Sequence, residues 1–167
     1  MKYKGKLVSF SVKSRKAKLT GVVLDYNSNW TLIKRSCDYT LDGFTIFRNL
    51  NVEHYYGEFE IRANKILKLK GYDYKTEPKI PIDSLEEIIN YINIHHQLIQ
   101  VDTKDGYAFD VVKLKKYTGK RYLLDELMPN GKWRDEMDFA ENIFRVISFD
   151  NDYLNSIKLI TKFKKQQ

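Results

Sequence analysis

The segment EPKIPIDSLEEIINYINIHHQ, residues Glu77–Gln97, predicts a helix that decides how the rest of the chain must be arranged. Either Asp83 or Ser84 can cap its first turn, because each is followed three residues later by a glutamate, as in a capping box. Two prolines just upstream keep the approach to the helix extended. We therefore expect one helix, at about residues 84–96.

One face of this predicted helix is mostly apolar. The side chains that recur at intervals of three and four residues are Leu85, Ile88, Ile89, Ile92 and His96. Such a face must be buried, and the sequence on both sides of the helix is typical of strands. We expect the helix to pack on a sheet or on the open end of a barrel.

The composition is that of a folded protein. With 167 residues, of which 43% are hydrophobic and 14% aromatic, the chain can form a packed core. It has no apolar run approaching the length of a membrane span, and its start lacks the apolar core of a signal peptide. The single cysteine, Cys37, excludes an internal disulfide and a cysteine-based metal cluster, and we expect it to be a buried thiol. These features favour a soluble, cytoplasmic protein without membrane contact.

The net charge of +7 is divided unevenly along the chain. Residues 1–70 contain 14 lysines and arginines and 6 acidic residues, whereas residues 71–167 contain 15 and 16. The excess of positive charge therefore belongs to the first half. This asymmetry favours a polyanion or an acidic protein as a partner of that half, although a solvated lysine-rich surface also accounts for it.

The first half predicts a small barrel of five short strands. Turns are expected at the basic stretch SRKAK (residues 14–18), at Asn27-Ser28-Asn29 and at Asp42-Gly43. The predicted strands are Tyr3–Val12, Leu19–Tyr26, Trp30–Arg35, Phe44–Arg48, and a fifth either at Val52–Tyr56 or within Glu58–Leu69.

Two segments of this half resemble the motifs of the Sm-like (LSm) family. GVVLDYNSNWTLIKR is similar to the first motif, through Gly21, Asp25, Asn29 and Leu32. IFRNLNV is similar to the second motif, through Ile46, Phe47, Arg48 and Val52. Three features depart from the family pattern: Asn49 replaces a glycine, Gly21 lies closer to Asp25 than in the family, and Asn27 replaces a side chain that stacks on a base.

The resemblance implies a strongly bent five-stranded sheet with a helix against it, and an RNA-binding rim formed by the two motif loops. Nucleic-acid chemistry is compatible with six side chains in or near these loops. Asn29 can bond a base edge, Arg48 can stack on or pair with a nucleotide, Tyr26 or Trp30 can offer an aromatic face, and Lys34 and Arg35 can meet phosphates. Alternatively, Trp30 fills the core, and Asp25 with Asn29 holds the turn together.

The second half again reads as strands. Turns are expected at Asp105-Gly106, at Thr118-Gly119 and at Pro129-Asn130-Gly131. The tail, 152–163, is interpreted as a further strand or a short helix. The predicted strands are Leu98–Lys104, Tyr107–Tyr117, Arg121–Leu127, Lys132–Arg134 and Ile143–Phe149.

The two halves also share a sparse set of identities at an offset of 91 residues, which suggests a duplication. Leu7 is matched by Leu98, Tyr26 by Tyr117 and Leu32 by Leu123. We therefore predict a mainly β protein made of two tandem Sm-like or SH3-like strongly bent barrels. Residues 1–75 form the first, basic barrel, and residues 76–167 form the helix and the second barrel.

No catalytic pattern stands out in the sequence. The adjacent His95 and His96 would point about 100° apart on a helix, so one face cannot offer both to a single metal. We find no glycine-rich phosphate loop, nucleophile elbow or paired Cys/His arrangement. We expect no enzymatic activity, no cofactor and no metal.

Two functions remain open. The first is binding of single-stranded RNA or another nucleic acid through the basic first barrel. The alternative is a protein–protein interaction module, such as an adaptor, an inhibitor or an immunity-type protein, that presents its basic side to an acidic partner. The sequence does not fix the oligomeric state.

Overall fold

A computed structural model describes residues 3–13, 15–103, 108–128 and 130–163. The protein is mainly β, as the sequence predicts, and its described strands form one antiparallel sheet that is not closed. The ten strands are β1 (Leu7–Val12), β2 (Leu19–Tyr26), β3 (Trp30–Cys37), β4 (Thr40–Arg48), β5 (Val52–Tyr55), β6 (Ile99–Thr103), β7 (Ala108–Tyr117), β8 (Arg121–Leu127), β9 (Trp133–Ala140) and β10 (Phe144–Phe149).

The strands follow the order β5-β1-β2-β3-β4-β10-β6-β7-β8-β9. The first five strands and the last five have the same internal order, in which the fifth strand of the set lies beside the first. The two sets join where β4 pairs with β10 in antiparallel register, with Phe47 opposite Val146 and Phe44 opposite Phe149. The predicted boundary near residue 75 therefore falls between two strand sets that share one sheet.

The predicted helix is present as α2 (Leu85–His95). Ser84, rather than Asp83, caps it: the Ser84 side chain accepts the backbone N–H of Glu87 at 3.2 Å. The four apolar residues of the predicted stripe, Leu85, Ile88, Ile89 and Ile92, are buried and pack on the sheet as expected, and His96 is partly buried.

The expectation of a single helix is wrong, because two more are present. These are α1 (Glu58–Leu69), where the sequence allowed a fifth strand, and α3 (Asp152–Phe163), where it allowed a strand or a short helix. The fifth strand instead lies at Val52–Tyr55, just before α1. Each set of five strands is thus followed by a helix, and α2 precedes the second set.

The core is divided between the two faces of the sheet. On one face, α1 and α2 pack against strands of both halves in the largest apolar cluster, which includes Trp30, Ile88 and Phe149. On the opposite face, a second cluster in the first half includes Phe10 and Phe47. Farther along that face, Leu154 of α3 packs in a third cluster. Alternation of side chains along each strand produces this division.

Two predictions about single positions have different outcomes. Cys37 is exposed, so the expectation of a buried thiol is wrong. The hairpin turn predicted at Asp105-Gly106 lies outside the described residues, although the strands around it pair as a hairpin requires, with Asp102 opposite Ala108.

Replacing Ser84 with alanine removes the acceptor for the Glu87 N–H. We expect Ser84→Ala to lower the free energy of unfolding by about 1 kcal/mol, as measured by urea denaturation. Asp83→Ala is the matched control, because Ser84 and not Asp83 holds the cap, and it should change stability by less than about 0.5 kcal/mol. Equal losses for the two variants would contradict the assignment of Ser84 as the cap.

Candidate anion-binding site

A cavity of about 510 Å³ lies on the face of the sheet opposite α1 and α2. We call it the basic cavity, because five cationic side chains and two carboxylates of the described residues line it, an excess of three positive charges. The charged lining residues are Lys13, Arg15, Lys16, Arg35, Arg145, Asp42 and Asp102.

The basic cavity is built at the junction of the two halves. The loop between β1 and β2 contributes Lys13, Arg15 and Lys16, and β3 contributes Arg35. The second half supplies Asp102 from β6 and Arg145 from β10. These residues become neighbours only because β10 lies between β4 and β6.

Most of this positive charge has no carboxylate partner. Arg15 is paired with Asp102, but no ion pair joins Lys13, Lys16, Arg35 or Arg145 to an acidic group anywhere in the described part of the chain. Arg145 donates to the backbone oxygens of Leu50 and Asn51, and Arg35 donates to the Thr20 oxygen at 3.4 Å. Carbonyl oxygens satisfy these hydrogen bonds without neutralising the charge.

Burial weakens the hydration of these guanidinium groups. Desolvation lowers the pKa of Arg35, and the neighbouring Arg15 charge lowers it further. Desolvation, followed by the charge of Arg48, lowers the pKa of Arg145 in the same way. Arginine nevertheless stays protonated, so the cavity holds fixed positive charge that is costly to keep away from water and anions.

A second, smaller cavity of about 240 Å³ lies on the same face of the sheet. We call it the aromatic pocket, because rings surround much of it. Its lining residues are Phe10, Tyr26, Asn27, Thr31, Phe47, Asn49, Val52 and His54. On β3, Thr31 of this pocket and Arg35 of the basic cavity are four residues apart, a distance of about 13 Å along an extended strand.

The structure separates the predicted nucleic-acid residues into different environments. Arg35 lines the basic cavity, and Tyr26 lines the aromatic pocket. Trp30 is only 2% exposed, so it belongs to the core, the alternative that the sequence left open. Lys34 lies on the helix side of the sheet, with its Nζ 3.9 Å from the Phe44 ring centre and 3.7 Å from Glu77.

The two motif loops do meet. The backbone N–H of Asn49 donates to the carbonyl oxygen of Asn29 at 2.8 Å, and Trp30 lies opposite Arg48 in the β3–β4 register. Asn27 holds the first loop: its side chain accepts the backbone N–H groups of Asn29 and Trp30. Asn29 is exposed at this turn.

Arg48 is held by contacts within the protein. Its guanidinium group lies 4.3 Å from the Trp30 ring centre and donates to the backbone oxygens of Phe144 and Glu141, each at 2.9 Å. A longer contact of 3.4 Å reaches the Glu141 carboxylate. Arg48 therefore links the second motif loop of the first half to the start of β10.

Sequence reasoning missed four of the five cations of the basic cavity. The sequence predicts the stretch SRKAK only as a basic turn, although it supplies Arg15 and Lys16 to the cavity. Arg145 gives no signal of its own, since a single arginine within an otherwise apolar strand is common. Only the neighbourhood of β4 and β10 shows that it faces the basic turn.

Loss of the Arg48 contacts should weaken the junction between the halves. We expect Arg48→Ala to lower the free energy of unfolding by about 1–3 kcal/mol, because two hydrogen bonds from a charged donor and the contact with Trp30 disappear. Arg121→Ala is the control, since the Arg121–Asp138 pair is about half exposed on both sides and should contribute less than about 1 kcal/mol. Similar losses in urea denaturation would contradict the structural role of Arg48.

Comparison of the chain with models of protein families, with curated proteins and with solved structures gave no significant match. No helix in the described ranges is long and apolar enough to cross a membrane. Within those same ranges, no group of three or more histidine, cysteine or acidic side chains is arranged to hold a metal ion.

Proposed function

We propose that the protein is a non-enzymatic binding module for a phosphate-rich polyanion, with single-stranded RNA as the favoured ligand. The observation that carries this proposal is the collection of Lys13, Lys16 and Arg35 around one cavity without carboxylate partners in the described chain. Such groups gain from phosphate contacts, and the release of counterions from the nucleic acid adds to the binding energy.

The aromatic pocket supports a single strand rather than a duplex. A flexible strand that places phosphates in the basic cavity can turn an unstacked base toward Tyr26 and His54, which line the neighbouring pocket. Paired bases in a duplex are not available for such contacts. Asn49, also in this pocket, offers amide chemistry for a base edge.

We further propose that each half is an Sm-like unit. The support is the shared strand order, with the fifth strand beside the first in both halves, and the helix that follows each set. In this proposal the contact between β4 and β10 joins two related units. The first unit and the joint between the units then carry the binding residues.

The RNA proposal is tested by the salt dependence of binding. A labelled single-stranded RNA of mixed sequence should bind the protein with an affinity that falls steeply as NaCl rises, measured by fluorescence anisotropy. Lys13→Gln with Lys16→Gln should raise Kd roughly tenfold, and should flatten the slope of log K against log salt by about 1.4, or roughly 0.7 for each lost contact.

The matched control is Lys65→Gln with Lys68→Gln. Both lysines are exposed on α1, in the same half but on the other face of the sheet, so the double variant has the same net charge. It should bind like the unchanged protein. Absence of binding at low salt, or equal weakening by the two double variants, would overturn the proposal.

A protein-interaction module remains the alternative, and α3 provides the observation in its favour. Tyr153, Leu159 and Ile160 on this helix are 48%, 59% and 53% exposed. Exposed aromatic and aliphatic side chains of this kind are common at interfaces.

The alternative makes a different prediction. A partner captured from the native host should stay bound after nuclease treatment, and Leu159→Ser with Ile160→Ser should release it. Lys65→Gln with Lys68→Gln serves as the control and should keep the partner. Recovery of RNA alone, lost on nuclease treatment, would contradict this alternative.

A further inference from the structure

We propose that the basic cavity binds a phosphate monoester at the end of a nucleic-acid strand, and that Asp102 forms an ion pair with Arg15 when no phosphate is bound. This inference rests on the proposed function and deepens it, because it names the part of the nucleic acid that the cavity recognises.

The arrangement of the cations favours an end over a passing strand. Lys13, Arg15 and Lys16 approach the basic cavity from one loop, Arg35 from β3, and Arg145 from a strand of the other half. Charges that surround a recess on several sides suit a compact group with more than one negative charge. A strand that passes through would instead need a groove with cations placed along it.

The charge of the ligand follows from that of the cavity. A phosphate monoester carries about −1.5 to −2 charges at neutral pH and three strong acceptor oxygens, whereas each internal phosphodiester carries one charge. The excess of three positive charges around the basic cavity is matched better by the monoester with its neighbouring diester than by one diester alone. Each bond from a buried guanidinium to such an oxygen is strengthened by charge.

Two arginines of the cavity also have buried groups with bonding capacity that an anion could use. Arg145 is only 6% exposed, and its hydrogen bonds reach neutral carbonyl oxygens. The Nε of Arg15 is buried and has no hydrogen-bond partner. An unpaired buried donor on a charged group costs free energy, and an anion in the cavity would recover part of that cost.

Among the described residues, the walls of the cavity offer no exposed aromatic ring on which a base could stack. Phe44 is its aromatic lining residue and is 3% exposed, with Lys34 over its ring and Phe149 stacked at 5.4 Å. The other uncharged lining includes several hydroxyl and amide groups, at Ser36, Thr45, Gln100, Ser148 and Asn151. The cavity is therefore suited to phosphate and sugar oxygens, and the base must lie outside it.

Asp102 gives the site a built-in competitor. It extends from β6 of the second half and forms an ion pair with Arg15 of the first half. A carboxylate and a phosphate oxygen make the same kind of contact with a guanidinium group. A terminal phosphate must therefore displace Asp102 from Arg15, and removal of the Asp102 charge should strengthen binding.

The test compares three forms of one single-stranded RNA, internally labelled: with a 5′-phosphate, with a 3′-phosphate, and with hydroxyl groups at both ends. One phosphorylated form should bind roughly tenfold tighter than the hydroxyl form, because it adds charge-assisted contacts. Arg35→Gln should abolish this preference, and Asp102→Asn should increase it. Equal affinity for all three forms would overturn the inference while leaving RNA binding intact.

Cys37 supplies a second measurement that does not depend on RNA. It is the single cysteine of the chain, it is exposed, and it lines the basic cavity. A nucleoside monophosphate should slow the reaction of Cys37 with a thiol reagent severalfold, whereas the unphosphorylated nucleoside should not.

This second measurement separates the two proposals. Protection by the monophosphate without any RNA binding would uphold the phosphate site and overturn the proposed function. Equal rates of Cys37 modification with the monophosphate and with the nucleoside would overturn the phosphate site, whether or not RNA binds. The melting temperatures of Arg35→Gln and Asp102→Asn should stay close to that of the unchanged protein. If Arg35→Gln does not fold, the comparison of the three RNA forms on the unchanged protein decides the question.

Discussion

The antiparallel pairing of β4 with β10 is the interaction on which the rest of the structure depends. It joins two five-stranded sets into one sheet, and side chains reinforce it on both faces. On one face Phe44 stacks on Phe149, and on the other the hydroxyl groups of Thr45 and Ser148 are 2.9 Å apart. Neither set contains both partners, so the pairing is a property of the whole chain.

The basic cavity is a direct result of this pairing. The cations of the first half alone would form an exposed basic surface, where water and salt screen the charges. The second half adds a wall containing Arg145 and Asp102, and turns that surface into a recess. Position, rather than the number of lysines and arginines, therefore decides what this half can bind.

The sequence predicted α2 and most strands because their local signals agree with their packing. Ser84 is followed by glutamates and an apolar stripe, and the strands alternate between turns. In α1 the signals conflict: its buried positions include Glu60 and Ala63, whereas Phe59 and Ile61 on the outside are 41% and 56% exposed. Apolar residues therefore lie on both the buried and the exposed side of α1, so the sequence gives no clean helical stripe and also allows a strand there.

The candidate site was less predictable than the fold. The motif loops predict Asn29 and Arg48 as binding residues, and the structure brings these loops together. However, Arg48 contacts the Trp30 ring and donates hydrogen bonds to backbone oxygens near β10. No local sequence pattern predicts these contacts. The basic cavity combines residues about 130 positions apart, and only strand order can bring such residues together.

The position of β10 also constrains how the protein is made. It is the last of the ten strands in chain order, yet it lies in the interior of the sheet, between β4 and β6. During synthesis on the ribosome, the edges of β4 and β6 stay uncovered until about residue 149 has emerged. Contacts of such large sequence separation form slowly, and uncovered edges invite aggregation. The nascent chain is therefore most prone to aggregation shortly before β10 has been synthesised.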